Sequence, residues 1–279
     1  MMLTTTRTLT FGDDQSQGAD TAWQWITSHT WPDWSIEVMS VTLPRSRSVV
    51  SPQGYSKPHL WDPDLPRRAP AACGLQSVTH LTATDDPRTI LGRRPGSDLI
   101  VVGPRGAGLL KALHLGSTAE WLLHCPNTPL LIARRPVPTQ SILVCVDGSA
   151  HADAAVGFLA SLPWVAGISI TVLGVVERDN GLATFVARAA EALTNAGARA
   201  TSRVLEPDRL DLTVNPHLTI FEHLDTLNPD LVVLGTSGLT GLARLWVGSV
   251  ASAVARHARC SVLVVRDPHH RDSEGDGDY

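Results

Sequence analysis

Sliding the chain by 132 residues lays residues 98–134 on residues 230–266 without a gap. Asp98, Leu99, Val101, Gly103, Gly106, Leu110, Leu113, Gly116, Ser117, Ala119, Leu131 and Arg134 all meet an identical partner. These identities include every glycine of one spacing, Gly-x2-Gly-x9-Gly-Ser, which therefore occurs twice. A single glycine pair would carry little weight. Recurrence of the whole spacing requires a chain that builds one unit twice. At 279 residues the length suits two units, each large enough for its own core.

The repeated stretch has a direct physical reading. Leu231 to Leu234 is an apolar run of buried-strand type that stops at Gly235, with Gly238 following. Nine residues later Gly248-Ser249 opens a helical-looking run to His257. Glycines let the backbone come close to a ligand, and the free N–H groups and dipole of a helix start favour an anion. Strand, glycine loop and helix start in that order make a phosphate site. Gly235, Gly238, Gly248, Ser249 and Val250 form it in the second repeat, and Gly103, Gly106, Gly116, Ser117 and Thr118 in the first.

Along the chain, strands are expected at residues 8–12, 35–43, 75–83, 98–102 and 129–134 of repeat one. Helices are expected at 20–29 and 117–123, with a short one at 88–92. Residues 44–72 carry Pro44, Pro52, Pro58, Pro63, Pro66 and Pro70, a density that excludes a regular helix. After the linker Pro136-Val137-Pro138, repeat two reads as strands at 142–146, 168–176, 199–205, 231–234 and 262–265. Its helices fall at 150–162, 182–196, 217–227 and 249–257. The boundaries are thus 1–135 for repeat one, 140–266 for repeat two and an acidic, disordered tail at 267–279. Alternating strands and helices imply α/β units, each a doubly wound parallel five-stranded sheet covered on both faces. Ligands of such sheets sit at the strands' carboxyl ends, near the reversal of strand order. Asp147 and Gly235 both fall at such ends.

A net charge of −4 leaves no broad basic surface, so nucleic acid is not an expected partner. Residues 1–12 lack a signal-peptide apolar core, and the run 165–176 is too short to span a bilayer, which points to a cytoplasmic protein off the membrane. Cys73, Cys125, Cys145 and Cys260 have no C-x-x-C spacing and read as buried free thiols. Neither they nor the histidines form a metal-ligand pattern. His114, His124, His151, His217, His223 and His257 are expected at the surface or at helix ends. Trp23, Trp25, Trp31 and Trp34 cluster around one helix and its exit, as core or as a subunit contact, and Trp121 and Trp246 read as loop anchors. Lys111 and Arg244 lie within the glycine loops, in reach of phosphates or of solvent.

The twin glycine spacing, with the strand-plus-acid start Ile142-Leu-Val-Cys-Val-Asp147-Gly-Ser, resembles the nucleotide-binding signature of the universal stress protein family. The resemblance covers nearly the whole chain as a tandem pair, closely in the second half and more patchily in the first. It implies ATP as ligand, with or without Mg2+. Asp147 and Asp14 would then contact the adenine or ribose end, Val175 and Val41 would line the base pocket, and the two glycine sets would hold ribose and phosphates. Counting back from Ala19-Asp20 against Ala152-Asp153, Asp14 falls on Asp147, with Asp13 adjacent. An acid at a strand end accepts ribose hydroxyls or an exocyclic amine equally well without the family, or serves as a helix cap or turn residue in Asp-Gly-Ser. The resemblance also implies two repeats packed as a pseudo-twofold pair, often through their last strands, and a homodimer.

No G-x-x-x-x-G-K-[ST] and no G-x-S-x-G occurs, and neither loop holds an evident base for water. A triphosphate would be held without the usual apparatus for cleaving it. The reading is an ATP-binding stress or energy-state sensor with little or no hydrolysis. A dimerising adaptor with empty pockets and a slow ATP hydrolase remain as alternatives.

Overall fold

The computed structural model describes residues 6–42, 68–69, 73–106, 115–124, 128–175, 181–205, 216–236 and 248–267. In the first half these are β1 (Arg7–Gly12), α1 (Gln17–Thr27), β2 (Trp34–Thr42), β3 (Ser77–Thr84), α2 (Pro87–Gly92), β4 (Leu99–Val102), α3 (Ser117–Leu123) and β5 (Leu130–Ile132). The second half holds β6 (Ser141–Val146), α4 (Ala150–Ala160), β7 (Ser169–Val175), α5 (Leu182–Asn195) and β8 (Arg199–Leu205). It closes with α6 (Pro216–Leu227), β9 (Leu231–Gly235), α7 (Ser249–His257) and β10 (Ser261–Val265). Each expected strand and helix has its counterpart. Most of the proline-rich segment and the tail beyond Asp267 lie outside the described residues.

The strands form one ten-stranded sheet in the order β3-β2-β1-β4-β5-β10-β9-β6-β7-β8. Every pairing within a half is parallel. Only β5 and β10 run antiparallel, where the halves meet. Their register sets Leu131 opposite Leu263, its own partner in the repeat, with Leu130 facing Val264 and Ile132 facing Val262. The join is therefore symmetric about that leucine pair, and each last strand covers the other's open edge. The two expected five-stranded sheets are continuous. Order reverses in each half at the first strand, between β1 and β4 and between β6 and β9, so each half has one switch point.

Local sequence explains the helices that frame these points. Ser16 caps α1 by accepting the Ala19 N–H at 3.2 Å, and Ser149 caps α4 by accepting the Ala152 N–H at 3.2 Å. Helix α5 buries Leu182, Val186, Ala189, Ala190 and Leu193 along one stripe. It stops at Gly197, whose φ of 91° allows Ala198 N–H to bond Leu193 O and Gly197 N–H to bond Thr194 O. The parallel strands bury both faces and are nearly all apolar at β4, β6, β9 and β10.

The halves also meet through an aromatic cluster. Trp25, Trp31 and His29 from the first half pack on Trp164 of the second, with ring centroids 4.5 to 6.2 Å apart. The tryptophans are thus core, not a subunit contact. His29 donates from Nδ1 to Trp25 O (2.7 Å), and its Nε2 accepts the Thr139 N–H (3.0 Å) from the linker. Burial lowers its pKa to about 4, so the ring is neutral. Arg7 reaches across to Ser161 Oγ (2.9 Å) and stacks on Trp34. Glu120 of α3 pairs with Arg256 of α7, and half-buried Arg134 donates to Ala255 O.

Candidate site at the carboxyl ends of the central strands

In the second half, β6 runs out at Asp147 and β9 at Gly235, and the two strands are neighbours. Asp147 Oδ1 accepts the Ser149 N–H at 3.0 Å, so the acid closes the turn that delivers α4. The helix cap is Ser149, and Asp147 is a turn acceptor. Gly148 between them takes φ = 83°, a region that disfavours residues with a Cβ. Val175 ends β7 on the other side of β6, half-buried against the apolar face. The opening residues of α7 arrive at the same edge because Gly248 N–H donates to Thr236 O at 2.5 Å. Gly248 caps α7 with no side-chain bond, leaving Ser249 and Val250 in a first turn with no acidic residue. One sheet edge thus collects Asp147, Val175, Gly235, Gly248, Ser249 and Val250. Gly238 lies outside the described residues.

Two features of this edge were not evident beforehand. A Cβ on Gly235 would lie 2.7 Å from His151 C and 2.9 Å from Ala152 N, so this glycine lets α4 pack directly on the strand exit. The residue after it, Thr236, is 5% exposed, and its Oγ1 has no hydrogen-bond partner among the described residues. Strand alternation sets its side chain opposite Gly235, on the face where α7 packs. His151, expected at the surface or a helix end, does begin α4 but is buried, and its Nδ1 accepts the Asp267 N–H at 3.0 Å. That bond ties the chain leaving β10 to the helix over the site.

The first half repeats the framework. Asp14 Oδ1 accepts the Ser16 N–H at 3.1 Å, two residues before the cap, as Asp147 does in the second half. Asp14 is therefore the counterpart of Asp147. Its neighbour Asp13 is held elsewhere: Arg68 grips it through Nε (2.8 Å) and Nη2 (3.0 Å) and reaches Asp20 through Nη1 (2.8 Å). Those bonds raise the arginine pKa, Asp13 contributing most. Val41 lies at the end of β2, beside β1. Gly116 N–H donates to Pro104 O at 2.7 Å, matching the Gly248–Thr236 bond, and brings Ser117 and Thr118 to the edge. Helix α3 has only seven residues.

The glycines of this half are closely packed. A Cβ on Gly103 would lie 2.3 Å from Gly18 O, and one on Gly106 would lie 2.2 Å from Asp14 Oδ2. One on Gly116 would come within 3.2 Å of Arg105 Cα. Arg68 was hidden in a stretch without periodicity, and Gly18 attracts notice only when aligned with His151.

Among the described residues no group of three His, Cys, Asp or Glu is placed to hold a metal. Burial pushes the Cys145 and Cys260 thiols up to about 12 and about 11, so neither is a thiolate at neutral pH. No helix among the described residues is long and apolar enough to cross a membrane. The edge offers hydrogen-bond donors, a carboxylate and an apolar wall.

The profile of the universal stress protein family matches residues 138–266. A protein of Staphylococcus saprophyticus named as a universal stress protein is 31% identical over 145 residues, covering 46% of this chain and 83% of that protein. A universal stress protein of Mycolicibacterium smegmatis is 27% identical over 218 residues, 69% of this chain and 70% of that protein. Among solved structures, a universal stress protein from Archaeoglobus fulgidus shares the fold across both halves. Its TM-score is 0.65 over 94% of this chain and 98% of that one, at 19% identity. With the repeated glycine spacing, the strand order and these relatives in agreement, the chain belongs to the universal stress protein family.

Proposed function

We propose that the protein binds ATP at the carboxyl edge of its second half and acts as a stress or energy-state sensor with little or no hydrolysis. One observation carries the reading: α7 opens at Gly248 without a side-chain cap, beside a switch point, next to the buried hydroxyl of Thr236, which has no partner among the described residues. A phosphate satisfies both. It accepts from the first-turn N–H groups of α7 and from the Ser249 hydroxyl, and the helix dipole favours its charge. Asp147 then lies one strand away, where a ribose hydroxyl or the adenine amine donates to it, and Val175 backs the base. Mg2+ would ride on the phosphates.

The first test is mass spectrometry of the denatured, purified protein, which is expected to release an adenine nucleotide. A thermal shift follows: ATP at 100 times its dissociation constant stabilises the fold by about 2.7 kcal/mol. Asp147→Ala is expected to lose most of that shift while melting near wild type without ligand. No shift with ATP in wild type would leave the adaptor reading in its place.

A further inference from the structure

We infer that Arg134, of the first half, is a positioning residue for the nucleotide site of the second. It holds the C-terminal end of α7, and occupancy at the N-terminal end of that helix is thereby coupled to the first half. The inference rests on the proposed ATP site and adds its regulation. Helix α7 ends without a glycine, in Arg256-His257-Ala258-Arg259-Cys260. Its C-cap, Ala258, is extended, and the cap N–H returns only to Val254 O. The later carbonyls of the last turn must find donors outside the helix. Arg134 supplies them. Its Nη2 donates to Ala255 O and its Nη1 to Cys260 O at 3.5 Å, while its own backbone N–H donates to Ser261 Oγ at 3.1 Å. Burial lowers its pKa to about 10, which leaves the guanidinium charged at neutral pH. Arg134 forms no ion pair among the described residues, so its charge meets the negative end of the α7 dipole.

A second bond across the join reaches the same helix end. Arg256 Nε donates to the two carboxylate oxygens of Glu120, on α3, at 3.0 and 3.2 Å. Both tethers thus run to first-half residues. At its opposite end α7 is tied to its own half, by Gly248 N–H on Thr236 O. Between the ends its buried stripe is Ala251, Val254 and Ala255. Two alanines and a valine bury little apolar area, so the polar bonds at the ends fix where the helix sits along the sheet. Its nine residues span about 13 Å as one stiff unit. A displacement at the Arg134 end therefore moves the first-turn N–H groups and the Ser249 hydroxyl at the other. Such coupling is reciprocal. A phosphate that fixes the first turn also holds Ala255 O on Arg134, and loss of Arg134 loosens the phosphate. The first half senses in this way whether the site is filled.

The test joins calorimetric titration with ATP to hydrogen exchange of the full chain, with and without ATP. In wild type, ATP is expected to slow exchange in α7 and also across residues 128–135 of the first half, by about fivefold or more. Arg134→Gln removes the charge and should raise the ATP Kd about tenfold and abolish the first-half response. Arg134→Lys keeps a charge at the helix end and should stay within about threefold of wild type. Arg94→Gln breaks a first-half ion pair with Glu37 of β2 and should leave the ATP affinity unchanged. ATP binding with slowed exchange confined to the second half overturns the inference and leaves the ATP site standing. So does wild-type affinity in Arg134→Gln, or an equal loss in Arg94→Gln, which reduces the effect to general destabilisation. A loss in Arg134→Lys as large as in Arg134→Gln overturns the role of the charge. No binding by wild type removes the proposed function and the coupling with it. Should Arg134→Gln fail to fold, the exchange pattern of wild type decides alone.

Discussion

The two halves share a strand order, and their described residues meet the sheet differently. In the second, α5 lies between β7 and β8 in sequence and seats Val186, Ala189 and Leu193 against the sheet. The first half has no described helix between β2 and β3, where the prolines cluster. What it has in that region is Arg68. The arginine pairs with Asp20 as Arg188 of α5 pairs with Asp153, the matching acid, and it also binds Asp13 in the position that Val146 fills apolarly. Among the described residues, a helix carries the arginine that meets this acid in one half, and a guanidinium fork from the segment between β2 and β3 meets it in the other. The sheet forms either way, because each strand is paired along its length; what differs is how buried the replacement charges become.

That difference can be broken most forcefully at Arg68. Its side chain is 18% exposed and Asp13 only 7%, so Arg68→Ala strands a carboxylate out of water and should cost about 3–5 kcal/mol in urea unfolding. Arg188→Ala is the control. Its pair is 64% and 63% exposed, and its loss should fall within about 0.5 kcal/mol. Equal effects would end the distinction between the halves.

A second contrast lies at the join. His29 follows the α1 cap Ser28 as Leu162 follows the α4 cap Ser161, so the first half has a titratable ring where the second has an aliphatic side chain. The folded pKa is about 4, below the usual 6.5, because burial disfavours the imidazolium. The unfolded chain therefore binds more protons between these values, and stability is lost as pH falls through that window. A shift of this size corresponds to at most about 3 kcal/mol. Protonation would also end the acceptance of the Thr139 N–H by Nε2 and leave the Thr139 hydroxyl as the acceptor within reach. Denaturation midpoints at pH 7 and pH 4.5 should diverge in wild type and converge in His29→Leu.

Smaller effects sharpen the packing comparison. Gly103→Ala should destabilise more than Gly235→Ala, both in the range of about 1–3 kcal/mol, because the backbone of α1 lies nearer than that of α4. Calorimetric melting of the two variants measures this directly. The cross-half pair of Glu120 and Arg256 is part-exposed, and Arg256→Ala should cost about 0.2–1 kcal/mol, less at high salt.

Much of this was legible in the sequence. Alternating apolar strands and helices gave every described element, and the repeated glycines located both strand exits. Asp14 was recovered as the counterpart of Asp147 by counting from a shared Ala-Asp. The fork of Arg68 on Asp13 was not legible, since its charge lies among prolines and no period relates it to its partners. Nor was the burial of His29 and His151, each of which has a hydrogen bond to a residue more than a hundred positions away.

By itself the sequence determined the two α/β units, their strand exits and the helix starts that face them, because local period and glycine spacing act over a few residues. Tertiary structure alone decided that the two sheets become one through Leu131 and Leu263, and that the Arg105 turn lies on the start of α1. Those outcomes depend on distances between backbones far apart in the chain. Whether two backbones can touch is settled by the presence or absence of a single Cβ, which has a meaning only once both segments are in place.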